Sequence, residues 1–286
     1  MRPFDYYKPK DFQEAIALLS QEGKKTFPLA GATDLVPMAR DERWLPDIVV
    51  DIKALPGLRE MKLTDEGLYV GAAMTMNEIA ASPLVKSKWD VLAQGASSVG
   101  HNQVRNRATV GGNIATSSPA ADTPPSLLVL EAIVVARGPE GERRIPITEF
   151  FLGPRRNALK KGEIIVGLIL PNPPEGAVGS YHRISRRHGA DLAIVGVAVL
   201  AYPKAEGFGW RVALGAVAPT PIRVPQAEAT LSAAPGKPDE AVISQAIQEA
   251  VAASKPIDDI RATAKYRREM IATLMRKAVE DVLEKL

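Results

Sequence analysis

The hydrophobic positions of this chain change period several times, and each change predicts an element. In "KDFQEAIALLSQEG", Phe12, Ile16 and Leu19 fall on one stripe at helical spacing, with Asp11 placed to cap the start and Gly23 to stop it. "TFPLA" then reads as a short strand running into "GATD", and "DIVVDI" at Asp47–Ile52 as a second strand. Pro and Gly together in "LPGL", Leu55–Leu58, break both periods and mark a joint between subdomains. A hairpin pattern follows in "REMKLTDEGLYVGAA", turning at Asp65–Gly67. Thr75 and Glu78 have capping-box spacing, which starts a helix. A further helix is expected from Lys86 to Val99.

Beyond Asp122, "TPPSLLVLEAIVVAR" predicts a Pro-initiated helix feeding a strand, and strands near Arg143–Ile147 and Glu163–Leu170 complete this part. "PNPPEG", Pro171–Gly176, is the clearest linker. Three β-like runs come next, at Gly179–Ser185, Leu192–Tyr202 and Trp210–Val217. The end is helical: Tyr266, Met270, Leu274, Ala278 and Val282 repeat every four residues, flanked by Ile271, Met275 and Val279. The pattern is that of an α+β protein in three pieces, near 1–57, 58–174 and 175–286, with no internal repeat.

Composition narrows the chemistry more than the fold. The 286 residues are 46% hydrophobic and 24% charged, as in a folded globular chain. A net charge of +3 is too small to argue for a nucleic-acid partner, and no apolar run is long enough for a membrane span. The start, "MRPFDYYKPKDF", has no apolar signal region, so a cytoplasmic location is expected. There is no cysteine, which excludes disulfides, Cys-ligated zinc and a Cys-ligated iron–sulfur cluster within this chain. The three histidines, His101, His182 and His188, have no metal-ligand partner at helical spacing. Any redox chemistry therefore falls to an organic cofactor.

Two glycine loops carry the candidate site. "RNRATVGGNIATSSPAAD", Arg105–Asp122, gathers Gly111, Gly112 and several small polar side chains, and "PLAGATDL", Pro28–Leu35, offers Gly31 beside Thr33 and Asp34. A diphosphate needs donors in a concave shell, and backbone N–H groups reach it best where no Cβ intervenes. Neither loop matches the Rossmann or Walker pattern. The residues alone permit an anion or dinucleotide loop, or two ordinary turns.

"FPLAGATDL", "VGHNQVRNRATVGGNIATSSPAADTPPSLLVLEA" and "GSYHRISRRHGADLAIVGVAV" together resemble the FAD-binding subunit of molybdenum hydroxylases. That family includes the medium subunit of aerobic carbon monoxide dehydrogenase and the flavin domain of xanthine dehydrogenase. The likeness spans nearly the whole chain in matching order. It implies a two-subdomain FAD-binding domain of the vanillyl-alcohol-oxidase type, at 1–57 and 58–174. A C-terminal domain with a small antiparallel sheet and a helical bundle would follow, at 175–286.

The resemblance also implies site residues. Ala30, Gly31, Ala32, Thr33 and Asp34, with Leu35 beside them, and Thr109, Val110, Gly111, Gly112 and Asn113 would wrap the FAD pyrophosphate. Thr116 and Asp122 would face the ribityl chain or ribose. Val99 and Ile165 match apolar positions around the cofactor, although without the resemblance plain core packing is the preferred reading. Arg183, or its neighbour His182, falls where relatives often carry a basic residue. Leu192 would cover one face of the flavin ring, making "RRHGAD", Arg186–Asp191, either a lid or a solvated basic turn.

With no cysteine, and no histidine in the first loop, the flavin is expected to be noncovalent, and an extra cluster-binding insertion is absent. The implied role is electron transfer: a molybdenum-cofactor large subunit oxidises the substrate, a 2Fe–2S small subunit relays electrons to FAD, and quinone, NAD or oxygen accepts them. No residue of this chain is expected to be catalytic toward the organic substrate. A flavin-free assembly module and a stand-alone flavin oxidase are the alternatives.

Overall fold

The computed structural model describes residues 1–187 and 189–286 and contains three main sheets. The first is parallel, with β1 (Asp5–Tyr7), β2 (Thr26–Leu29) and β3 (Ile48–Asp51) in the order β1-β3-β2. Parallel neighbours need crossovers, supplied by the helices Phe12–Leu19 and Leu35–Arg40. Asp11 caps the first, its carboxylate accepting from the Glu14 N–H at 2.9 Å. The helix stops at Leu19 rather than at Gly23, because the Thr26 hydroxyl of β2 takes the Leu19 carbonyl at 2.8 Å. Gly23 instead forms the following turn in a left-handed conformation.

The second sheet begins with the expected hairpin, β4 (Met61–Thr64) and β5 (Gly67–Gly71), and continues with β6 (Ile133–Gly138) and β7 (Gly141–Pro146). A small ribbon, β8 (Phe151–Gly153) with β9 (Arg156–Asn157), precedes β10 (Ile164–Pro171). β10 returns to the centre, so the order is β4-β5-β10-β6-β7, antiparallel throughout. The Met76–Ala81 helix starts with the complete Thr75/Glu78 capping box. The single helix expected over Lys86–Val99 is two, Pro83–Lys88 and Asp90–Ser97, broken at Trp89. Trp89 is wholly buried and its indole N–H donates to the Pro171 carbonyl at 2.9 Å, a tertiary bond that overrides the local period.

The third sheet runs β11 (Val178–Ile184), β12 (Val195–Pro203), β13 (Phe208–Gly215) and β14 (Ile222–Arg223), antiparallel in chain order. Both of its faces are covered. Ala198, Leu200 and Ala213 join the core of the first two sheets, where the wholly buried Thr123–Val129 helix lies against β12 and β13. Val197, Val199, Val212 and Leu214 alternate with them and form a second core with the helices Pro225–Ser232, Glu240–Ala253 and Ala264–Leu283. Two-sided burial explains why β12 is apolar almost throughout.

In the last helix Ile271, Leu274, Met275, Ala278, Val279 and Val282 are buried as the stripe predicts, but Tyr266 is exposed. Arg267 takes the inward place, donating to the Ile194 and Ala216 carbonyls and to Asp259. The Pro225–Ser232 and Glu240–Ala253 helices are additions that the hydrophobic pattern did not predict.

Candidate cofactor-binding site

The two glycine loops touch. A Cβ at Gly31 would sit 2.0 Å from the Arg107 carbonyl oxygen and 3.0 Å from the Ala108 Cα, so only glycine permits this approach. The Thr116 hydroxyl donates to Asp34 Oδ2 at 3.1 Å and to the Gly112 carbonyl at 2.9 Å, tying the loops a second time. Tertiary contact thus brings residues 30–35 and 109–116 to one wall.

Their backbone donors divide unequally. Thr109 caps the Val110–Ala115 helix, accepting from the Gly112 N–H at 3.2 Å, while Asn113 N–H donates to the Thr109 carbonyl. Val110 and Gly111 donate to the Met74 and Ala72 carbonyls at 3.1 and 2.9 Å. The N–H groups of Gly111 and Gly112 thus have acceptors within the protein. A Cβ on Gly111 would meet Ala72 Cβ at 2.6 Å, whereas one on Gly112 would meet only Thr109 Oγ1, at 3.0 Å, and otherwise enter open space. Among residues 109–113 only the Thr109 N–H has no acceptor, and the other free donors lie in the first loop. Among the described residues, the N–H groups of Gly31, Ala32, Thr33, Asp34 and Leu35 have no acceptor, and Ala32 holds the turn at φ 64°. Five successive unpaired N–H groups at the cavity wall are donors available to an anion.

The loops open onto a cavity of about 750 Å³, within the roughly 300–1,000 Å³ range of small-molecule sites. Every residue named above as a site candidate lines it, except Val110, Arg183 and its alternative His182. Val110 is wholly buried in the core. Val99 and Ile165 combine both readings, since they are buried with the core and also form cavity wall.

Arg183 lies behind the wall. Its Nη1 donates to both oxygens of Asp122 at 3.0 Å and to the Asp191 carbonyl at 3.2 Å, and the Tyr181 hydroxyl adds a third bond to Asp122 at 3.0 Å. Burial pushes the Asp122 carboxyl up to about 6 against the opposing pull of Arg183, and burial beside Asp122 raises the Tyr181 hydroxyl well above its usual range. Asp122 is thus both a cavity residue and the junction with β11. His182 is elsewhere engaged, with its Nε2 against Asp281 at 2.5 Å.

The 189–192 stretch reaches the cavity rim. Ala190, at φ 50°, donates its N–H to the Gly100 carbonyl at 3.0 Å, and Asp191 accepts the Arg186 N–H at 3.1 Å. Leu192 is 55% exposed at the cavity edge. His188, within the expected lid, lies outside the described residues.

Several lining residues were not among the site candidates. Phe27 and Trp44 stack at 5.6 Å between ring centroids on the wall beside the first loop. The one sequence signal for Trp44 is an aromatic inside the charged stretch "RDERWLPD". Asn157 and Glu163 also line the cavity and are already engaged within the protein. Asn157 donates to the Ala115 carbonyl at 2.7 Å, and Arg143 pairs with both Glu163 oxygens, holding that carboxyl below its ordinary value.

Residues 2–173 match the family model described as FAD binding domain in molybdopterin dehydrogenase. The chain belongs to that family. Residues 180–282 match a second model, CO dehydrogenase flavoprotein C-terminal domain. The chain is 33% identical over 278 residues to the carbon monoxide dehydrogenase medium chain of Hydrogenophaga pseudoflava, covering 96% of each. It is 30% identical to the nicotinate dehydrogenase FAD-subunit of Eubacterium barkeri, over 100% of this chain and 98% of that one. Among solved structures, a carbon monoxide dehydrogenase from Hydrogenophaga pseudoflava superposes with a TM-score of 0.94 at 33% identity, covering 100% of this chain and 99% of that one.

The cofactor of this FAD-binding family member is FAD, and the cavity fits it. The unpaired N–H groups of residues 31–35 would receive the diphosphate. The missing Cβ of Gly112 leaves room beside them, and the polar groups of Asp34, Asn113 and Thr116 stand along the wall.

Proposed function

We propose that this protein is the noncovalent FAD-carrying electron-transfer subunit of a molybdenum hydroxylase complex. A 2Fe–2S small subunit would deliver electrons, a molybdenum-cofactor large subunit would oxidise the substrate, and quinone, NAD or oxygen would take the electrons away. Resemblance to medium chains and FAD-subunits over their full length supports this assignment. Residues 1–57 and 58–174 are taken as the two halves of the cofactor domain and 175–286 as the C-terminal domain.

FAD suits such a junction because, when bound, it can receive electrons singly and pass on one or two. The chain's own residues bind and orient. The 31–35 loop supplies anion donors, Gly31 and the Thr116–Asp34 bond fix its distance from the second loop, and the buried wall at Val99 and Ile165 excludes water. Asp122, held by Arg183 and Tyr181, fixes the seam where β11 meets the cavity. No helix among the described residues is long and apolar enough to cross a membrane, consistent with the cytoplasmic location we propose.

The observation that carries this reading is the run of unpaired N–H groups at residues 31–35, which line the same cavity as Gly112. Its test is to load the chain with FAD, desalt it, and record the visible spectrum before and after acid precipitation. Flavin bands that move into the supernatant support noncovalent binding, and Gly112→Val should abolish them. Pigment left in the pellet contradicts the noncovalent assignment. Absence of flavin both from the chain alone and from the co-expressed complex contradicts the electron-transfer role.

A further inference from the structure

Phe27 and Trp44 belong to neither hydrophobic core. They are half-buried, their rings lie 23° from parallel, and they face the cavity rather than the packed interior. Aromatic side chains normally bury against neighbours, and a stacked pair left on a cavity wall offers a flat π-surface to a ligand. Its position along the cavity is defined. Phe27 lies on β2, four residues before Gly31 and therefore just upstream of the unpaired N–H turn. The Glu163–Ile165 wall belongs to the same end, because Gly162 abuts Ser20 at the end of the Phe12–Leu19 helix, and that helix is bonded to Thr26 of β2. Val99, Ala190 and Leu192 join the wall through the Gly100–Ala190 bond, on the side of the third sheet. The cavity thus carries an aromatic pair on the strand that leads into the anion turn, and a separate rim at Leu192 on the side of the third sheet. A dinucleotide with its diphosphate at the turn would offer one ring system to each.

We propose that the Phe27–Trp44 pair holds the purine base of the cofactor, so that these two side chains make the site select a flavin bearing an adenylate half over a flavin mononucleotide. This rests on the FAD reading. Of the polar side chains on the cavity wall, Glu163 is held through both oxygens by Arg143, and Asn157 is engaged through one amide N–H and its carbonyl oxygen. Stacking therefore carries the selection. The Trp44 indole N–H, which has no acceptor among the described residues, remains free for the ribose or the base edge.

Trp44 also provides its own reporter, since the other two tryptophans, Trp89 and Trp210, are 0% and 3% exposed in the cores. The cofactor-free full-length chain is titrated with ADP, with FMN and with FAD while tryptophan emission is followed. ADP, which lacks the flavin, should quench emission saturably, and Trp44→Leu should abolish that response. Stacking of a base on an aromatic ring is worth roughly 5- to 150-fold in affinity. Trp44→Leu and Phe27→Leu should accordingly weaken FAD about tenfold or more and leave FMN within about twofold. Trp44→Phe, which keeps a ring, should restore most of the FAD affinity. Variants that retain wild-type affinity and the wild-type preference for FAD over FMN overturn the proposal. So does a wild-type chain that takes up FAD and FMN equally and ignores ADP, a result that leaves the flavin reading itself intact.

Discussion

Replacing Gly31 with alanine tests the most demanding contact in the site. The added Cβ falls 2.0 Å from the Arg107 carbonyl oxygen, where real Cβ atoms essentially never come within 3.0 Å. Both partners are backbone, so no flexible side chain can turn aside and the loops must part by about 1 Å. Such overpacking costs about 1–3 kcal/mol. For a chain of this size that lowers Tm by roughly 2–12 °C. The same movement stretches the 3.1 Å Thr116–Asp34 bond beyond hydrogen-bond range and tilts the free N–H groups away from the diphosphate. Loss of even one charge-assisted bond is worth about 1.5–3 kcal/mol, or roughly 10- to 150-fold in FAD affinity. Calorimetry of the cofactor-free chain and FAD titration of the same sample read both effects. A Gly31→Ala protein with wild-type Tm and wild-type FAD affinity would refute the claim that this approach builds the site.

Gly112→Ala should separate stability from binding. Alanine is favoured over glycine by about 1 kcal/mol within a helix, so Tm holds or rises while the methyl narrows the cavity and FAD affinity falls. FAD at 100 times its Kd should stabilise the wild type by about 2.7 kcal/mol, seen as a higher Tm that desalting to the cofactor-free form reverses. Asp122 predicts a pH effect of definite sign. Its folded carboxyl is raised to about 6 from 3.8, so its favourable contribution is complete below about pH 4 and is lost as pH rises through 6. Stability of the wild type relative to Asp122→Asn should therefore fall by on the order of 2–3 kcal/mol between those limits; a difference that grows with pH in denaturant titrations would contradict the assignment. Arg267→Leu would leave the Ile194 and Ala216 carbonyls and the Asp259 carboxylate without their buried cation. The expected loss is about 3–5 kcal/mol, with faster amide exchange at 192–194 as the local readout.

Local rules were sufficient where each element carries its own signal. The Asp11 cap, the Thr75/Glu78 box, the hairpin turning at Asp65–Gly67 and most of the last helix's stripe could be read because each depends on residues within a turn or two of one another. The glycine loops were legible as unusual composition, and most of the residues that their family pattern named line the cavity. Contacts distant in sequence decided the remainder. Trp89 broke a helix by bonding Pro171 across 82 positions, and Arg267 displaced Tyr266 from the buried face because two carbonyls and a carboxylate awaited it. Which loop keeps free donors could not be read from glycine content, since it depends on Ala72 and Met74 claiming the N–H groups of Gly111 and Val110. Nor could Phe27 and Trp44 be recognised as a pair until β2 and the segment before β3 were brought side by side. The sequence by itself determined which residues were available to build a cofactor site. Tertiary structure decided which polar groups remain unpaired within it, because hydrogen-bond partners are allotted only when distant segments pack.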